Sequence, residues 1–214
     1  MKGDHVWFYR AARAVVLRIC VLAFRVRIRG RANVPKSGAY VLAPSHRSVF
    51  DIVFLGYVTP RRIRFMGKKE WWSVPVLGAL FTALGAFPVD RDATDRSALK
   101  AALAAVDNGE PVAIFPEGTR GSGAELGPLF EGPAYVALKR GVPIVPVGIG
   151  GSEAILPSGV SVPRLRRAAV VIGEPIFVEK PKGAVKRSEL TRVTEALRVS
   201  LQAAFTEAEE LAEH

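Results

Sequence analysis

The sequence predicts a single α/β domain, with a mostly parallel or mixed central sheet flanked by helices. Short apolar runs that suit buried strands, such as Ala39–Ala43 and Val112–Phe115, alternate with longer segments of helical periodicity. The 214 residues are 49% hydrophobic, which suffices for one substantial core, and no stretch is rich enough in glycine, serine or proline to mark a linker. We therefore divide the chain into an N-terminal helix, residues 1–24, and one globular domain, residues 25–214.

The charge balance predicts a polyanionic partner. The chain has 30 basic and 20 acidic residues, a formal net charge of +10, and residues 1–40 hold nine lysines and arginines against one acid, Asp4. Aromatic residues are not interleaved with the basic ones in a nucleic-acid motif, so we expect anionic lipid rather than nucleic acid. A lone cysteine, Cys20, excludes an intramolecular disulfide and a Cys/His zinc site, and it is compatible with a reducing cytoplasm.

The N-terminal segment predicts a membrane-interface helix. Val6–Phe24 is apolar except for Arg10, Arg13 and Arg18, and with Arg25 these arginines fall within an arc of about 140° on a helix. A helix that lies in the interface fits better than one that spans the bilayer, because a centred arginine costs about 3 kcal/mol. We expect the protein at the cytoplasmic face of a membrane, peripheral or monotopic. A helix packed on the domain with its arginines in solvent is the alternative.

The first candidate site follows the Ala39–Ala43 strand. Pro44 breaks this strand, and Ser45 offers a cap for a following helix. His46 then stands at the carboxyl end of a strand, where open α/β sheets gather their ligands. Asp51 falls in the first turns of the next helix, where it can hold the Nδ1–H of His46 and leave Nε2 to accept a proton from a hydroxyl. An ordinary helix cap followed by a surface aspartate is equally compatible with this heptapeptide.

The second candidate site follows the Val112–Phe115 strand. After Pro116, a Glu-Gly-Thr-Arg turn over residues 117–120 places a glycine, a hydroxyl and a guanidinium side by side. The planar fork of Arg120 suits bidentate binding of a phosphate. By itself, the turn could also be an ordinary polar turn with a solvated arginine.

These stretches together resemble the motifs of the glycerolipid acyltransferases, the family of 1-acylglycerol-3-phosphate acyltransferase. His46 and Asp51 match the family's His-x4-Asp motif. Three further blocks follow in the family's order, at Gly85–Arg91, Phe115–Arg120 and Val142–Val147. The chain departs from the family at Leu129–Gly132, where many members carry a lysine in a Phe-Lys-x-Gly segment and this chain has Glu131.

The resemblance implies transfer of a fatty acyl group from a thioester donor, acyl-CoA or acyl carrier protein, to the free hydroxyl of lysophosphatidic acid or a related lysophospholipid. It implies that His46 is the general base and that Asp51 orients it, with neither a metal nor a bound cofactor. The residues expected to bind the acceptor or shape its pocket are Arg47, Ser48, Lys68, Arg91, Glu117, Gly118, Thr119 and Arg120.

Two other classes of protein are alternatives to this hypothesis. A serine hydrolase would require Gly-x-Ser-x-Gly, and the nearest approach, Gly150–Ala154, lacks the last glycine. A non-catalytic module could bind anionic membranes through the basic N-terminus, and it would bind lipid without turnover. The uncharged stretch Val74–Val89 is shorter than a typical transmembrane helix, and it fits a lipid-contacting surface, an acyl-chain tunnel, or a core helix and strand.

The remaining elements are predicted from periodicity and breakers. The sequence predicts a half-exposed strand at Arg25–Gly30, helices at Thr94–Asn108 and Gly132–Arg140, strands at Ile144–Ile149 and Ala168–Ile172, and a helix from Val185 whose acidic end, 207–213, frays.

Overall fold

The structure, a computed structural model, contains one mixed sheet with helices on both faces, which confirms the predicted α/β class. It describes residues 14, 17–73, 78, 82, 85–89, 96–157, 160 and 162–213, and for Lys68, Trp71, Val89 and Arg96 it describes the backbone alone. The strands are β1 (Arg27–Arg29), β2 (Val41–Pro44), β3 (Arg64–Lys68), β4 (Ala86–Val89), β5 (Val112–Ala113), β6 (Ile144–Gly150) and β7 (Ala169–Ile172). The helices are α1 (17–24), α2 (Asp51–Phe54), α3 (Arg96–Asp107), α4 (Gly132–Arg140), α5 (Ser152–Ile155) and α6 (Arg187–Glu213). Short 3₁₀ helices cover Arg31–Asn33, Leu55–Tyr57 and Lys69–Ser73.

The strand order, β1-β7-β6-β2-β5-β3-β4, determines which loops meet. Strand β2 pairs in parallel with both β5 and β6, so these three strands end at the same edge of the sheet. Strand β7 is antiparallel to β6, and β1 is parallel to β7, so β7 and β1 begin at that edge. We call it the carboxyl edge, the edge at which Pro44, Ala113 and Gly150 end their strands.

Strands β2, β6 and β7 are buried on both faces, as their continuous apolar sequences predict, whereas the edge strand β1 is largely exposed. Tyr40 and Leu42 point into one core, which includes residues of α1 and α2, whereas Val41 and Ala43 point into a second core with α3, α4 and α6. The chain therefore leaves β2 on one face and leaves β5 on the other. Adjacent parallel strands whose connections diverge in this way leave a crevice between their carboxyl ends, which is where ligands bind in such sheets.

Helix α6 packs closely along β6 because two glycines admit it. A Cβ on Gly148 or Gly150 would lie 2.1 or 2.2 Å from the carbonyl oxygens of Ala204 and Ala208. Ala208 is fully buried, and Glu209 accepts the Gly151 N–H at 3.3 Å, while burial raises the pKa of the Glu209 carboxyl. The prediction of a frayed end is wrong, because the helix continues to Glu213 and makes these contacts in its last turns.

The predicted helix cap at Ser45 is also wrong. Ser45 extends β2, donating its N–H to the Val147 carbonyl at 3.0 Å, and its Oγ accepts the Ile149 N–H at 2.9 Å. Helix α2 begins only at Asp51 and has no side-chain cap from the residue before it. By contrast, α4 ends at Gly141, in the left-handed conformation with φ 66°, as the sequence predicts.

Helix α1 has both a packed side and an exposed apolar side. Cys20 and Phe24 are buried in the first core, and the Tyr57 hydroxyl donates to the Leu17 carbonyl. Ile19 and Leu22 are 60% and 81% exposed. The described helix therefore packs on the domain and still presents aliphatic side chains to solvent, and the boundary between residues 1–24 and 25–214 stays a prediction.

Several predicted features lie outside the described residues. Among them are Arg10, Arg13, Arg91 and most of the uncharged stretch Val74–Val89. Within the described part of the chain, no helix is long and apolar enough to cross a membrane.

Candidate functional site

The turn after β2 places His46 at the carboxyl edge. Because Ser45 still belongs to the sheet's hydrogen-bond pattern, His46 is the first residue to leave it. Its side chain is 12% exposed, and its ring lies against the ring of Phe115, with centroids 4.1 Å apart. Phe115 follows β5, the neighbour of β2, so strand pairing brings the two sequence motifs together.

Asp51 holds this turn through one oxygen. Its Oδ2 lies 2.9 Å from His46 Nδ1, and it accepts the backbone N–H groups of Arg47 at 2.7 Å and Ser48 at 2.8 Å. The Asp51 side chain is fully buried, and within the described residues its Oδ1 has no hydrogen-bond partner. A carboxylate only accepts hydrogen bonds, so this contact favours the tautomer of His46 with the proton on Nδ1 and with Nε2 as the acceptor. The pairing of His46 with Asp51, expected from their spacing, is present.

A buried ion pair joins the two turns of the site. Arg47 Nη1 lies 2.7 Å from Glu117 Oε2, with the two side chains 0% and 3% exposed. Glu117 Oε1 also accepts the His46 N–H at 3.0 Å, and Arg47 Nη2 donates to the Glu125 carbonyl at 2.9 Å. Substrate binding by Arg47 and Glu117 stays a prediction, whereas these contacts give both side chains a role in positioning His46 and the loop after β5.

Helix α6 supports that loop from behind. Gln202 Oε1 accepts the Leu126 N–H at 2.9 Å, and Gln202 Nε2 donates to the Ala124 carbonyl at 3.0 Å. The Phe205 ring lies 4.6 Å from Arg47 Cζ, a distance that allows a cation–π interaction. Sequence reasoning missed Gln202 and Phe205, because their only signal was the helical periodicity of α6.

Gly121 is a second residue that sequence reasoning missed. Its N–H donates to the His46 carbonyl at 2.9 Å. A Cβ at this position would lie 2.4 Å from Arg47 Nη1 and 3.0 Å from Glu117 Oε2. The buried ion pair would therefore have to shift to admit a side chain here, and no local sequence pattern marks that constraint.

The turn of Gly118, Thr119 and Arg120 is exposed. Gly118 has φ +67°, which favours glycine, and a Cβ on it would lie 2.8 Å from the ring of Phe130. Within the described part of the chain, the Arg120 side chain forms no hydrogen bond or ion pair. Its guanidinium is thus available to an anionic ligand.

The other predicted site residues are placed differently. Ser48 is buried, and its Oγ donates to the Leu156 carbonyl at 3.2 Å. Lys68 ends β3, but its side chain, like Arg91, lies outside the described parts of the structure. Glu131 lies in the segment where many members of the resembled family carry a lysine. Its Oε2 lies 2.8 Å from Nη1 of Arg187.

The arrangement combines the His46 imidazole, whose Nε2 has no hydrogen-bond partner in the part of the chain that the structure describes, with an exposed guanidinium from the turn after the neighbouring strand. Such a site can remove a proton from a hydroxyl group of an anionic molecule. Among the described residues, no group of three or more His, Cys, Asp or Glu side chains is arranged to hold a metal ion.

Comparison with known proteins places the chain in a family. The model of the family described as Acyltransferase matches residues 25–150. The chain is 31% identical over 173 residues to the 1-acyl-sn-glycerol-3-phosphate acyltransferase of Bacillus subtilis, covering 80% of this chain and 84% of that protein. It is 29% identical over 151 residues to the human 1-acyl-sn-glycerol-3-phosphate acyltransferase alpha, covering 69% of this chain and 53% of the human protein.

A solved structure agrees with these sequence matches. The crystal structure of the 1-acyl-sn-glycerophosphate acyltransferase PlsC from Thermotoga maritima superimposes with a TM-score of 0.77 at 25% identity, covering 100% of this chain and 85% of that chain. The motifs at the carboxyl edge, the matched family model and the shared fold agree, and the chain is an enzyme that belongs to the glycerolipid acyltransferase family.

Proposed function

We propose that this enzyme transfers a fatty acyl group from a thioester to the free hydroxyl of 1-acylglycerol-3-phosphate, the lysophosphatidic acid used in phospholipid biosynthesis. The observation that carries the proposal is the His46–Asp51 pair, 2.9 Å apart, beside a turn that presents the guanidinium of Arg120, which has no polar partner among the described residues. An acceptor with both a hydroxyl and a phosphate matches this combination. The names of the bacterial and human relatives support the same acceptor.

His46 supplies the proton transfer. Its Nε2 takes the proton of the acceptor hydroxyl while that oxygen attacks the thioester carbonyl carbon. The tetrahedral intermediate then collapses, the C–S bond breaks, and the imidazolium returns the proton to the departing thiolate. Asp51 keeps the ring in the correct tautomer and stabilises the imidazolium, so the reaction needs no acyl-enzyme.

Arg120 anchors the acceptor's phosphate through its planar fork, and Gly118 and Thr119 shape the adjacent pocket. Lys68 and Arg91 are proposed as further cations for the same phosphate. Ser48 contributes to the acceptor site mainly through the turn that it helps to form. Arg47 and Glu117 act by fixing the positions of His46 and of the loop after β5 relative to each other.

The donor is acyl-CoA or acyl carrier protein, which present the same thioester. Because a lysolipid is held in a bilayer by its acyl chain, the enzyme works at the cytoplasmic face of a membrane as a peripheral or monotopic protein. The basic residues of 1–24 supply the attraction to anionic lipid. Membership of an enzyme family favours this function over a non-catalytic membrane-binding module.

The test is product analysis by mass spectrometry with purified protein, both donors and a panel of acceptors. We expect phosphatidic acid from 1-acylglycerol-3-phosphate, little product from monoacylglycerol, which lacks the phosphate, and loss of product with His46→Ala. Equal acylation of monoacylglycerol would contradict the assigned acceptor. Release of free fatty acid with no acylated product would contradict acyl transfer itself.

A further inference from the structure

Residues 162–167 form an exposed loop beside the catalytic turn. The Arg164 N–H donates to the Ile155 carbonyl at 2.8 Å, and the next carbonyl, that of Leu156, accepts the Ser48 hydroxyl at 3.2 Å. Ser48 itself donates its N–H to the carboxylate that orients His46. A short chain of hydrogen bonds therefore connects this loop with the catalytic turn.

Sheet register places the same loop at the carboxyl edge. Strand β7 starts two residues after it, with Ala169 paired opposite Gly150, the last residue of β6. Helix α1 ends at this edge as well, because Ala168 donates its N–H to the Phe24 carbonyl and accepts the Arg27 N–H, both at 3.0 Å. The C-terminal end of α1 and the loop therefore both border the edge at which His46 lies.

The loop has an amphipathic composition. Val162 and Leu165 are 72% and 78% exposed, and Arg164 and Arg166 are exposed beside them. No acidic residue occurs between Glu153 and Glu174. Moving large aliphatic side chains from water into an apolar environment lowers the free energy. Arginines between them can reach lipid phosphates while their aliphatic stems stay in apolar surroundings.

We propose that residues 162–167 are a second membrane contact, which inserts Val162 and Leu165 into an anionic lipid surface and places Arg164 and Arg166 among the headgroup phosphates. This contact turns the carboxyl edge toward the bilayer, so that the acceptor's hydroxyl reaches His46 without the lysolipid leaving the membrane. The inference rests on the proposed lipid acceptor. An acidic carrier protein would also attract the two arginines, but the two protruding aliphatic side chains favour lipid.

The first test locates a probe on the loop. Leu165→Cys is labelled with an environment-sensitive fluorophore, and the native Cys20 competes poorly because it is buried, which also raises its thiol pKa. The matched control is Phe177→Cys. Phe177 is 80% exposed, but its neighbour Ile176 bridges to Ile144 at the start of β6, at the opposite edge of the sheet.

Vesicles of phosphatidylglycerol and phosphatidylcholine should shift the emission of the probe at position 165 to the blue and leave the probe at position 177 unchanged. An unchanged emission at position 165 while the protein sediments with the vesicles would overturn the proposal. So would equal shifts at the two positions.

The second test measures partition onto the same vesicles by co-sedimentation. Leu165→Glu should lower the partition coefficient about tenfold, and Phe177→Glu should stay within about twofold of wild type. Changing either Arg164 or Arg166 to glutamate should lower the partition coefficient at least about fivefold relative to wild type. If the arginine variants instead lose only the use of acyl carrier protein, with unchanged partition, the loop docks the donor and the membrane assignment is wrong.

Activity on a short-chain, water-soluble acceptor separates this inference from the proposed function. Leu165→Glu should leave that activity unchanged, because His46, Asp51 and Arg120 are untouched. The protein could acylate no acceptor and still be released from vesicles by Leu165→Glu. That pair of results would refute the proposed function and support the membrane contact.

Discussion

The two turns that form the site are built in opposite ways. In the turn after β2, His46, Arg47 and Ser48 all bond to the buried carboxylate of Asp51. In the turn after β5, Arg120 is exposed and makes no polar contact within the described residues. A base must have its tautomer and direction set before the substrate arrives, whereas an anion-binding side chain acquires its partner from the ligand. Changes to His46 and Asp51 should therefore affect the rate, and changes to the exposed Arg120 should affect acceptor use alone. Changes at the buried contacts that join the two turns should affect stability.

The largest effect is expected where the two turns are joined. Glu117→Ala should lower the free energy of unfolding by about 3–5 kcal/mol, because it leaves the buried guanidinium of Arg47 without its counter-charge. Urea unfolding measures this change. The double variant Arg47→Met with Glu117→Leu should recover much of the loss, since neither charge then remains buried.

The matched control for that pair is an exposed one. Arg198 and Glu195 lie 2.7 Å apart with side chains 51% and 58% exposed. Glu195→Ala should change the free energy of unfolding by less than about 1 kcal/mol, because an exposed pair is screened by water. Similar losses for Glu117→Ala and Glu195→Ala would show that burial does not distinguish the two pairs.

The next effect is on rate. His46→Ala should lower kcat by about 10²–10⁴-fold, the usual contribution of a general base, and should change the free energy of unfolding by no more than about 1 kcal/mol. Asp51→Asn should reduce kcat strongly as well, because an amide that donates at Oδ2's position would misorient the ring. Steady-state kinetics together with urea unfolding test both variants, and near-normal turnover by His46→Ala would reject it as the base.

A change at the exposed turn should affect use of the acceptor and leave the free energy of unfolding nearly unchanged. Arg120→Ala should lower kcat/KM for 1-acylglycerol-3-phosphate by about 10–100-fold, the value of hydrogen bonds to a charged group, while the free energy of unfolding stays within about 0.5 kcal/mol of wild type. Hydrolysis of the thioester by water should change little. Arg120→Lys should restore part of the loss, because it keeps the charge without the fork. Equal losses in transfer and hydrolysis would indicate damage to the turn instead.

The smallest expected effect is on the packing around the ion pair that joins the two turns. Gly121→Ala should destabilise the protein by about 1–3 kcal/mol, because its Cβ would lie 2.4 Å from Arg47 Nη1. Gly183→Ala is the control, since a Cβ there has no atom within 4 Å. Thermal or urea unfolding of the two variants should therefore differ, and equal stabilities would mean that the ion pair adjusts freely.

Features encoded over a few neighbouring residues were predictable from the sequence. Only four residues separate His46 from Asp51, so a single turn can bring them together whatever the rest of the fold does. The helix at Gly132–Arg140 and its end at Gly141 follow from local periodicity and from the left-handed conformation that glycine adopts. The class of fold follows in the same way, from apolar runs that alternate with helical ones.

Contacts between distant parts of the chain were decided only by the tertiary structure. Arg47 and Glu117 are 70 residues apart, and the family resemblance implied substrate-binding roles for both, while no local pattern predicted that they form a buried pair. The pair exists because β5 lies beside β2 in the sheet, which brings the two following turns to one edge. Ser45 similarly bonds to β6 rather than to its own helix. Local periodicity specifies elements, but strand order specifies which side chains meet, and that order depends on the packing of the whole core.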